Sequence, residues 1–410
     1  MIRFIHTADL HLDKPFEGLS GLPGQLYRRI RASTFRALDR LTERTVAEHP
    51  DFMIIAGDIF DDSHRSLVAQ RRFIQSMETL KGAGIPVYAV FGNHDHLDDP
   101  WNRLTLPDNV HLFPAAPTVF HYRKAGGDQA DLHGFSYAHR HIHEDIVSRY
   151  LRGEDAAYQI GILHGAQRSG NGEDDYAPFT AGELAEKEFD YWALGHIHKR
   201  QQLNPPLPAW YPGDIQGLSV KETGEKGASI VTLNKQGADV AFFPTADILW
   251  EKKELPLTGE LDANRLESVL EQVQKELRRA AGTGVLLKIH AVLSETSQTA
   301  DALEQLFSEM TEAMNEGEEN RDNFIWFMPP ELTLTPEWDR DSLLHSRHFI
   351  GDVFRLIEQN GSVADAAAPL LSHRSGRRFL APPDPDARQA IRQAAEELIA
   401  EHLIRQKQDD

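Results

Sequence analysis

Short apolar runs in the first part of the chain alternate with amphipathic patterns. Residues 3–8, 51–56 and 85–90 are apolar, with β-branched and aromatic side chains, and predict buried strands. Apolar positions at near-helical spacing between them predict helices over residues 27–49 and 67–81. A repeated order of strand, polar turn and helix predicts right-handed crossovers and a mostly parallel sheet.

The pattern then continues with further strands and a closing hairpin. Residues 158–163 and 189–194 are again apolar and predict two more buried strands. Alternating apolar positions at residues 228–233 and 240–243 predict two antiparallel strands of a hairpin. We place the end of the first domain near residue 245.

A second pattern begins after residue 245 and predicts a smaller βαβαβ unit. Its strands and helices are predicted at residues 252–257, 262–280, 285–293, 299–314 and 324–334. The unit contains no grouping of metal-ligating residues, so we predict an accessory, capping domain over residues 246–338. Residues 339–410 are predicted to form a helical C-terminal region. Its last helix carries an apolar stripe of Ile391, Ala395, Leu398 and His402.

Composition limits the class of protein. A chain of 410 residues is too long for one compact core, and 40% hydrophobic residues suffice for globular folding. No run of roughly 18 apolar residues is present, which argues against a membrane span. The absence of cysteine excludes disulfides and thiolate metal sites. Because the chain also begins directly in a strand pattern rather than a secretory signal, we expect a cytoplasmic location.

The formal net charge of −20 counts against binding nucleic acid through overall charge. It leaves room for a local basic path, or for metal ions that meet the phosphates. The candidate basic elements are Lys199-Arg200, Arg28-Arg29-Arg31 and Arg374-Arg377-Arg378. The first lies beside a polar cluster described below, whereas the other two could equally be surface charges or partner contacts.

Five of the predicted strands end in polar side chains, and glycine stands beside four of these ends. The polar groups are Asp9, His11, Asp58, Asn93, His94, His164, His196 and His198. Ligands of parallel sheets gather beyond the carboxyl ends of the strands, so these side chains are expected to lie together. The i, i+2 spacing of Asp9 and His11 in an extended segment would place both side chains on one side.

These groups indicate a pair of cations rather than one. A structural zinc site needs four ligands and usually includes thiolates, which this chain lacks. Two neighbouring cations need about as many ligands as are present, with one carboxylate between them. Mixed carboxylate, amide and imidazole ligands favour Mn²⁺ or Fe²⁺, with Zn²⁺ as a further candidate. Such pairs catalyse displacement at phosphorus by activating water and stabilising charge on the phosphoryl oxygens.

The same residues carry a family resemblance. The motifs Asp9-Leu10-His11, Gly57-Asp58-Ile59-Phe60-Asp61, Gly92-Asn93-His94-Asp95, His164-Gly165 and Gly195-His196-Ile197-His198 resemble, in order and spacing, those of the calcineurin-like metallophosphoesterases. Tyr211-Pro212-Gly213 and Thr223-Gly224-Glu225-Lys226-Gly227 resemble the SbcD-type DNA repair exonucleases, in particular their YhaO-like branch. The resemblance covers roughly residues 1–235. It implies an α/β fold, a two-sheet metallophosphoesterase sandwich flanked by helices.

The resemblance also implies a role for each motif residue. The first metal ion would be held by Asp9, His11, Asp58 and His198. The second would be held by Asp58 as the bridging ligand together with Asn93, His164 and His196. His94 would not be a ligand but would protonate the departing sugar oxygen or contact the phosphate. Asp61 would orient His94.

The function implied by the resemblance is Mn²⁺-dependent exonuclease or endonuclease activity on DNA. It further implies a homodimer formed through the phosphoesterase domain, and a partner ATPase of the SMC-like, coiled-coil type that the C-terminal helices could contact. One alternative is a phosphatase or phosphodiesterase for nucleotides or other small esters, which the acidic balance favours. Another is a scaffold with a vestigial metal site, although every ligand is present.

Two further features have weaker functional interpretations. The cluster His139-Arg140-His141-Ile142-His143 lacks a partner motif, so we predict a solvated loop rather than an additional metal site. Asp214 follows the Tyr-Pro-Gly turn where relatives usually carry a smaller or neutral residue. A contact between Asp214 and substrate is therefore in doubt.

Overall fold

The computed structural model describes the chain except for residues 17–18, 20, 62–65, 99–103, 154–155, 169–175, 280–281, 336–343, 346–348, 361–362, 374–381 and 406–410. The predicted basic residues Arg374, Arg377 and Arg378, and the side chain of His402, lie outside the described part.

Six strands form the first sheet. They are β1 Ile2–Thr7, β2 Phe52–Ala56, β3 Val87–Val90, β4 Val110–Leu112, β11 Gly227–Asn234 and β12 Gly237–Pro244. Their order is β12-β11-β1-β2-β3-β4, with β1 to β4 parallel and β11 antiparallel to both of its neighbours. The hairpin predicted from the alternating pattern is thereby confirmed, and it closes the free edge of β1.

Six further strands form the second sheet. They are β5 Thr118–Arg123, β6 Gln129–Gly134, β7 Tyr158–His164, β8 Tyr191–Gly195, β9 Gln201–Gln202 and β10 Ala209–Tyr211. Their order is β5-β6-β7-β8-β10-β9, and β6, β7, β8 and β10 are mutually parallel. β7 is buried along its whole length, as expected of a parallel strand covered on both faces.

The two sheets share an apolar core. Phe4 and Ile54 of the first sheet belong to the same buried cluster as Ile160, Ile162 and Tyr191 of the second. The intervening residues of β1 and β2 point to the opposite face because side chains alternate along a strand. There they pack against the helices. The two-sheet sandwich flanked by helices is therefore confirmed.

In the described part of this region, four α-helices accompany the sandwich: α1 Gly24–Arg31, α2 Ser33–Glu48, α3 Leu67–Gly82 and α4 Ala181–Glu186. The single helix predicted over residues 27–49 is wrong, because the chain bends at Ala32 between α1 and α2. The hydroxyl of Ser33 donates to the carbonyl oxygen of Ile30. This local hydrogen bond offers the backbone an alternative to a continuous helix.

The rest of the chain contains β13 Ile248–Thr258, α5 Ala263–Leu277, β14 Gly284–Ser294, α6 Ala300–Asn315, β15 Ile325–Phe327, β16 Glu331–Leu334, α7 Phe349–Asn360, α8 Val363–Ser372 and α9 Pro385–Arg405. The single strand predicted over residues 324–334 is wrong, because Pro329 and Pro330 separate β15 from β16 and lack the N–H that a ladder needs. The helical C-terminal region is confirmed.

The chain divides into two compact units. One comprises Met1–Lys253, Glu267–Ile289 and Ser308–Pro330, and the other comprises Glu254–Leu266, His290–Phe307 and Glu331–Asp410. The domain limits at residues 245 and 338 and the capping role of the accessory region stay predictions. Within the described residues, no helix combines the length and apolarity that a membrane crossing requires.

Candidate metal centre

The loops after β1 and β2 are joined by backbone hydrogen bonds. Asp9 donates its N–H to the carbonyl oxygen of Gly57 at 3.1 Å, and His11 donates to that of Asp58 at 3.1 Å. Asp9 and His11 have φ of 52° and 40°, so the extended segment expected here is wrong. The pairing of the two loops imposes left-handed turns, which Asp and His adopt more readily than most residues.

The first group of candidate ligands contains Asp9, His11 and His198, whose ligand atoms lie within 4.8 Å of one another. The Nε2 atoms of His11 and His198 are 3.1 Å apart. Two imidazole lone pairs at this distance repel each other unless a cation or a proton lies between them. Asp9 is 1% exposed, and both of its carboxylate oxygens accept the backbone N–H of His196 at 3.1 Å.

The second group surrounds Asn93. Its side-chain oxygen lies 3.0 Å from Nε2 of His164 and 3.3 Å from Nδ1 of His196. The Oδ2 atom of Asp58 lies 3.3 Å from Nε2 of His164 and 3.8 Å from Nε2 of His11. Asp58 therefore faces both groups, the position that a bridging carboxylate requires.

Two glycines allow this packing. A Cβ atom at Gly92 would lie 2.2 Å from Oδ1 of Asp58, and one at Gly195 would lie 1.8 Å from the carbonyl oxygen of Ala56. Real Cβ atoms do not approach other atoms so closely. Glycine at these strand ends is thus required by the close approach of the loops.

Burial sets the charge of two of the imidazoles. It lowers the pKa of His11 to about 4 and that of His196 to about 3, so both rings are neutral at pH 7 and carry a free lone pair. Burial would also lower the pKa of His164, but the carboxylate of Asp58 outweighs it and raises the pKa to about 9. Burial raises the pKa of Asp9 to about 7. Burial would also raise the pKa of Asp58, but this pKa is instead held well below its usual range, chiefly by His164, so Asp58 supplies negative charge to the cleft.

The donor set fits two divalent cations. The seven predicted ligands, Asp9, His11, Asp58, Asn93, His164, His196 and His198, are all brought together. They supply carboxylate, amide and imidazole donors, which suit Mn²⁺, Fe²⁺ or Zn²⁺. His164 keeps Nε2 for a ligand role because its Nδ1 lies 2.9 Å from the carbonyl oxygen of Ala56.

His94 lies at the edge of the first group. Its ring centroid is 5.1 Å from that of His11, and its backbone N–H donates to Oδ1 of Asp58 at 3.0 Å. Asp61 has its Oδ2 atom 3.7 Å from Nδ1 of His94 and 3.6 Å from Nδ1 of His11. Both distances exceed a normal hydrogen bond. Lys14, which the sequence did not single out, lies closer, with Nζ 3.1 Å from Asp61.

Asp95 has a structural role that its place in the sequence did not indicate. It is fully buried and accepts the backbone N–H groups of Gly92, Ile59 and Phe60 at 2.7, 2.8 and 3.3 Å. These bonds tie the loop after β3 to the loop after β2. Asp95 is part of the Gly-Asn-His-Asp motif, but its hydrogen bonds to Ile59 and Phe60 depend on the position of the neighbouring loop.

A further set of contacts surrounds His198. Its Nδ1 lies 2.6 Å from Oε1 of Glu222. Burial would lower the pKa of His198, but the hydrogen bond with Glu222 raises it to about 9. Asp214 is buried and pairs with Lys226 at 2.8 Å, so its side chain is turned away from solvent. Tyr211 donates its hydroxyl to the carbonyl oxygen of Gly165 beside His164.

Three of the five candidate basic residues that the structure describes contact other side chains. Arg29 pairs with buried Asp247 at 3.2 Å, and Arg31 lies 3.6 Å from Asp13. Arg200 stacks over the rings of Trp210 and Phe242. Arg28 and Lys199 are exposed to solvent.

Residues 139–143 are exposed or half-buried. None of them belongs to a metal-binding group found among the described residues.

Comparison with known proteins gives the family. The calcineurin-like phosphoesterase model matches residues 2–200. "Uncharacterized metallophosphoesterase YhaO" of Bacillus subtilis (strain 168) is 37% identical over 380 residues, which are 92% of this chain and 92% of that protein.

Two more distant relatives are named as nuclease or repair proteins. A subunit of the SbcCD nuclease of Bacillus subtilis (strain 168) is 25% identical over 279 residues, 59% of this chain and 68% of that protein. "DNA double-strand break repair protein Mre11" of Methanopyrus kandleri is 23% identical over 322 residues, 74% of this chain and 67% of that protein. This chain belongs to the calcineurin-like metallophosphoesterases, which hydrolyse phosphoesters with divalent metal ions.

Proposed function

We propose that this protein is a two-metal phosphodiesterase that hydrolyses DNA. The observation that carries the proposal is the position of Asp58 between two groups of buried ligands, one containing His11 and the other His164. One carboxylate shared by two ligand groups is the arrangement that two-metal hydrolysis of phosphodiesters needs.

The metal roles are proposed residue by residue. Asp9, His11, Asp58 and His198 would hold one cation, and Asp58, Asn93, His164 and His196 would hold the other. Mn²⁺ is the proposed ion, because oxygen and imidazole donors are mixed and no thiolate is present. When bound, the pair would supply an activated water and would offset the charge on the phosphoryl oxygens.

His94 is the proposed general acid. Its Nδ1 atom lies on the side of Asp61, so Nε2 is the atom that would give a proton to the departing sugar oxygen. Asp61, held by Lys14, would keep the ring in this orientation. Removing a general acid typically lowers the rate about 10²–10⁴-fold.

A polynucleotide substrate is supported by the distant likeness to proteins named as part of a nuclease and as a DNA repair protein. The name of one relative, a subunit of a nuclease, supports a partner complex; the proposal takes the partner to be an ATPase of the SMC-like, coiled-coil type and the protein to be a homodimer. The C-terminal helices are proposed as the contact for this ATPase. They expose large apolar side chains, among them Phe349, Ile391 and Leu398.

The experiment is Mn²⁺-dependent digestion of linear duplex and single-stranded DNA by the wild type and by His94→Ala. We expect digestion by the wild type, and a kcat about 10²–10⁴-fold lower for the variant with unchanged metal binding. His139→Ala is the matched control, because His139 is an exposed histidine outside the site.

Two results would contradict the proposal. Hydrolysis of bis-nitrophenyl phosphate without any DNA degradation, at every Mn²⁺ concentration tested, would favour the small-ester alternative. Full function of Asp58→Ala in a complex with its partner would favour a scaffold.

A further inference from the structure

Two motifs that follow the last ligand have no role in the proposed chemistry, and both meet His198. One is the turn Tyr211-Pro212-Gly213 with Asp214, and the other is the segment from Lys221 to Gly227. We propose that Glu222 is a positioning residue that fixes the imidazole of His198 for metal binding, and that Lys226 and Asp214 fix its backbone. This inference rests on the proposed two-metal site.

The carboxylate of Glu222 is held at both oxygens. Oε1 lies 2.6 Å from Nδ1 of His198, and Oε2 accepts the backbone N–H of Leu218 at 2.6 Å. A carboxylate can only accept, so Nδ1 of His198 carries the hydrogen. In the neutral ring, Nε2 then keeps the lone pair. Nε2 is the atom that lies 3.1 Å from Nε2 of His11, within the first ligand group.

The backbone of His198 is held independently of its ring. Lys226 donates from Nζ to the carbonyl oxygen of His198 at 3.0 Å and pairs with Asp214 at 2.8 Å. A Cβ atom at Gly213 would lie 2.9 Å from the same carbonyl oxygen. The turn therefore packs directly against the ligand, and the buried ammonium group joins the turn to the segment that carries Glu222.

His164 can be compared with His198, because the partner of its Nδ1 atom is also assigned. Nδ1 of His164 faces the carbonyl oxygen of Ala56, a backbone group that no substitution removes. Nδ1 of His198 faces a side-chain carboxylate. Such a partner fixes the tautomer and the ring orientation, and it makes the opposite nitrogen a stronger ligand. His198 thus depends on a residue 24 positions further along the chain.

The same residues could be taken for a separate cation site, since ligand atoms of His198, Asp214 and Glu222 lie within 4.8 Å of one another. The ammonium group of Lys226 lies 2.8 Å from Asp214 and supplies the positive charge there. We therefore assign this group to positioning and not to a third metal ion.

The experiment measures Mn²⁺ binding to the metal-free protein by isothermal titration calorimetry and electron paramagnetic resonance. Glu222→Ala is expected to weaken one of two Mn²⁺ equivalents about 10–100-fold and to leave the other unchanged. Glu222→Gln should lose less Mn²⁺ affinity than Glu222→Ala, because the amide oxygen of glutamine can still accept a hydrogen bond from Nδ1 of His198. Glu225→Ala is the matched control, since Glu225 is exposed in the same segment. It should bind as the wild type does.

A double-mutant cycle tests the backbone contact. Asp214→Ser or Lys226→Met alone leaves a buried charge without its partner and should weaken the same Mn²⁺ equivalent. The double variant should bind better than the sum of the two single losses predicts. Additive losses would contradict the role of this ion pair.

Three results would overturn the inference. The first is wild-type binding of both equivalents by Glu222→Ala. The second is that Glu222→Ala binds neither Mn²⁺ equivalent and has a lower melting temperature in EDTA than Glu225→Ala. This result would indicate that Glu222 is needed for folding. The third is a wild type that binds fewer than two Mn²⁺, in which case the proposed function would fail together with the inference. A wild type that binds two ions without cutting DNA would leave the positioning role of Glu222 standing.

Discussion

The two halves of the metal centre are built in different ways. Around Asn93, the ligands lie on loops that pack backbone to backbone, and Gly92 and Gly195 make the close approach possible. In the other half, Asp9 and His11 also lie on a backbone-paired loop. The ring of His198, however, is oriented by the side chain of Glu222, and its carbonyl oxygen is held by Lys226. The ligands around Asn93 are specified within short motifs, whereas the half that contains His198 also needs residues that follow the last motif in the chain.

This difference suggests how the two halves respond to mutation. In a half whose loops pack through their backbones, one substitution should weaken all of its metal ligands together, because the loops share hydrogen bonds and close contacts. A half positioned by side chains should weaken in steps, because each contact can be removed separately. The first two of the four predictions below test this contrast, and the four are ordered from the largest expected effect to the smallest.

Asp58→Ala removes a carboxylate that faces both halves. We expect loss of both metal ions and of hydrolytic activity, because each half loses a charged ligand at once. Metal content by mass spectrometry of the intact protein, together with activity on a phosphodiester, measures this. Asp128→Ala, at an exposed position, is the control. Retention of one tightly bound ion would show that the halves do not share Asp58.

Gly92→Ala places a methyl group 2.2 Å from Oδ1 of Asp58. Overpacking of this kind typically costs about 1–3 kcal/mol. We expect weaker binding of both ions and a lower melting temperature in EDTA. Gly24→Ala is the control, since nothing lies within 4 Å of the added atom and φ is not positive. Wild-type metal affinity in Gly92→Ala would contradict the role of backbone packing.

Asp61→Asn tests the contact beside His94 without replacing a proposed ligand, and it keeps a side-chain oxygen 3.6 Å from Nδ1 of His11. We expect a kcat about 10–100-fold lower with little change in KM, because second-layer partners of catalytic histidines act on orientation. Lys14→Met should have a smaller effect in the same direction, since Lys14 acts through Asp61. Steady-state kinetics with a small phosphodiester checks both variants. A larger effect for Lys14→Met would indicate direct contact with the phosphate.

His6 offers a test of burial without metal chemistry. Its pKa is lowered by burial to about 3, while Nδ1 and Nε2 contact Tyr191 and the carbonyl oxygen of Leu194. The folded state therefore cannot take up the proton that the unfolded chain binds below pH 6.5. Stability from this group is present above pH 6.5 and falls toward pH 3, by about 2 kcal/mol between pH 7.5 and pH 5.

The measurement is urea unfolding in EDTA at pH 7.5 and pH 5 for the wild type and His6→Gln. The variant should lose less stability between the two pH values, whatever its absolute stability. An equal loss in both proteins would assign the acid sensitivity to other groups.

The candidate ligands could be picked out from the sequence because each stands at or just after the end of an apolar run. Apolar periodicity identified the strands, and the polar residues that followed were expected at one edge of the sheet. The local geometry was not predictable in the same way. Asp9 and His11 adopt positive φ because the loop pairs with the loop after β2, a contact that local spacing does not show.

Residues that support ligands were harder to find. Glu222 and Lys226 lie in a segment that stood out only for its resemblance, and their contact with His198 depends on how the closing hairpin returns beside β1. The bend at Ala32 was missed because both helices keep apolar positions in phase across it. A long-range contact therefore fixes the partners of His198, whereas the bend goes with a local hydrogen bond between Ser33 and Ile30 that the apolar pattern does not show.

The most direct test of the central claim is the number and spacing of Mn²⁺ ions bound by the wild-type protein. We expect two ions for each chain, roughly 3.5–4 Å apart, and hence an exchange-coupled electron paramagnetic resonance signal at saturation. A single uncoupled Mn²⁺ at saturation, with no second binding step, would contradict the two-metal centre.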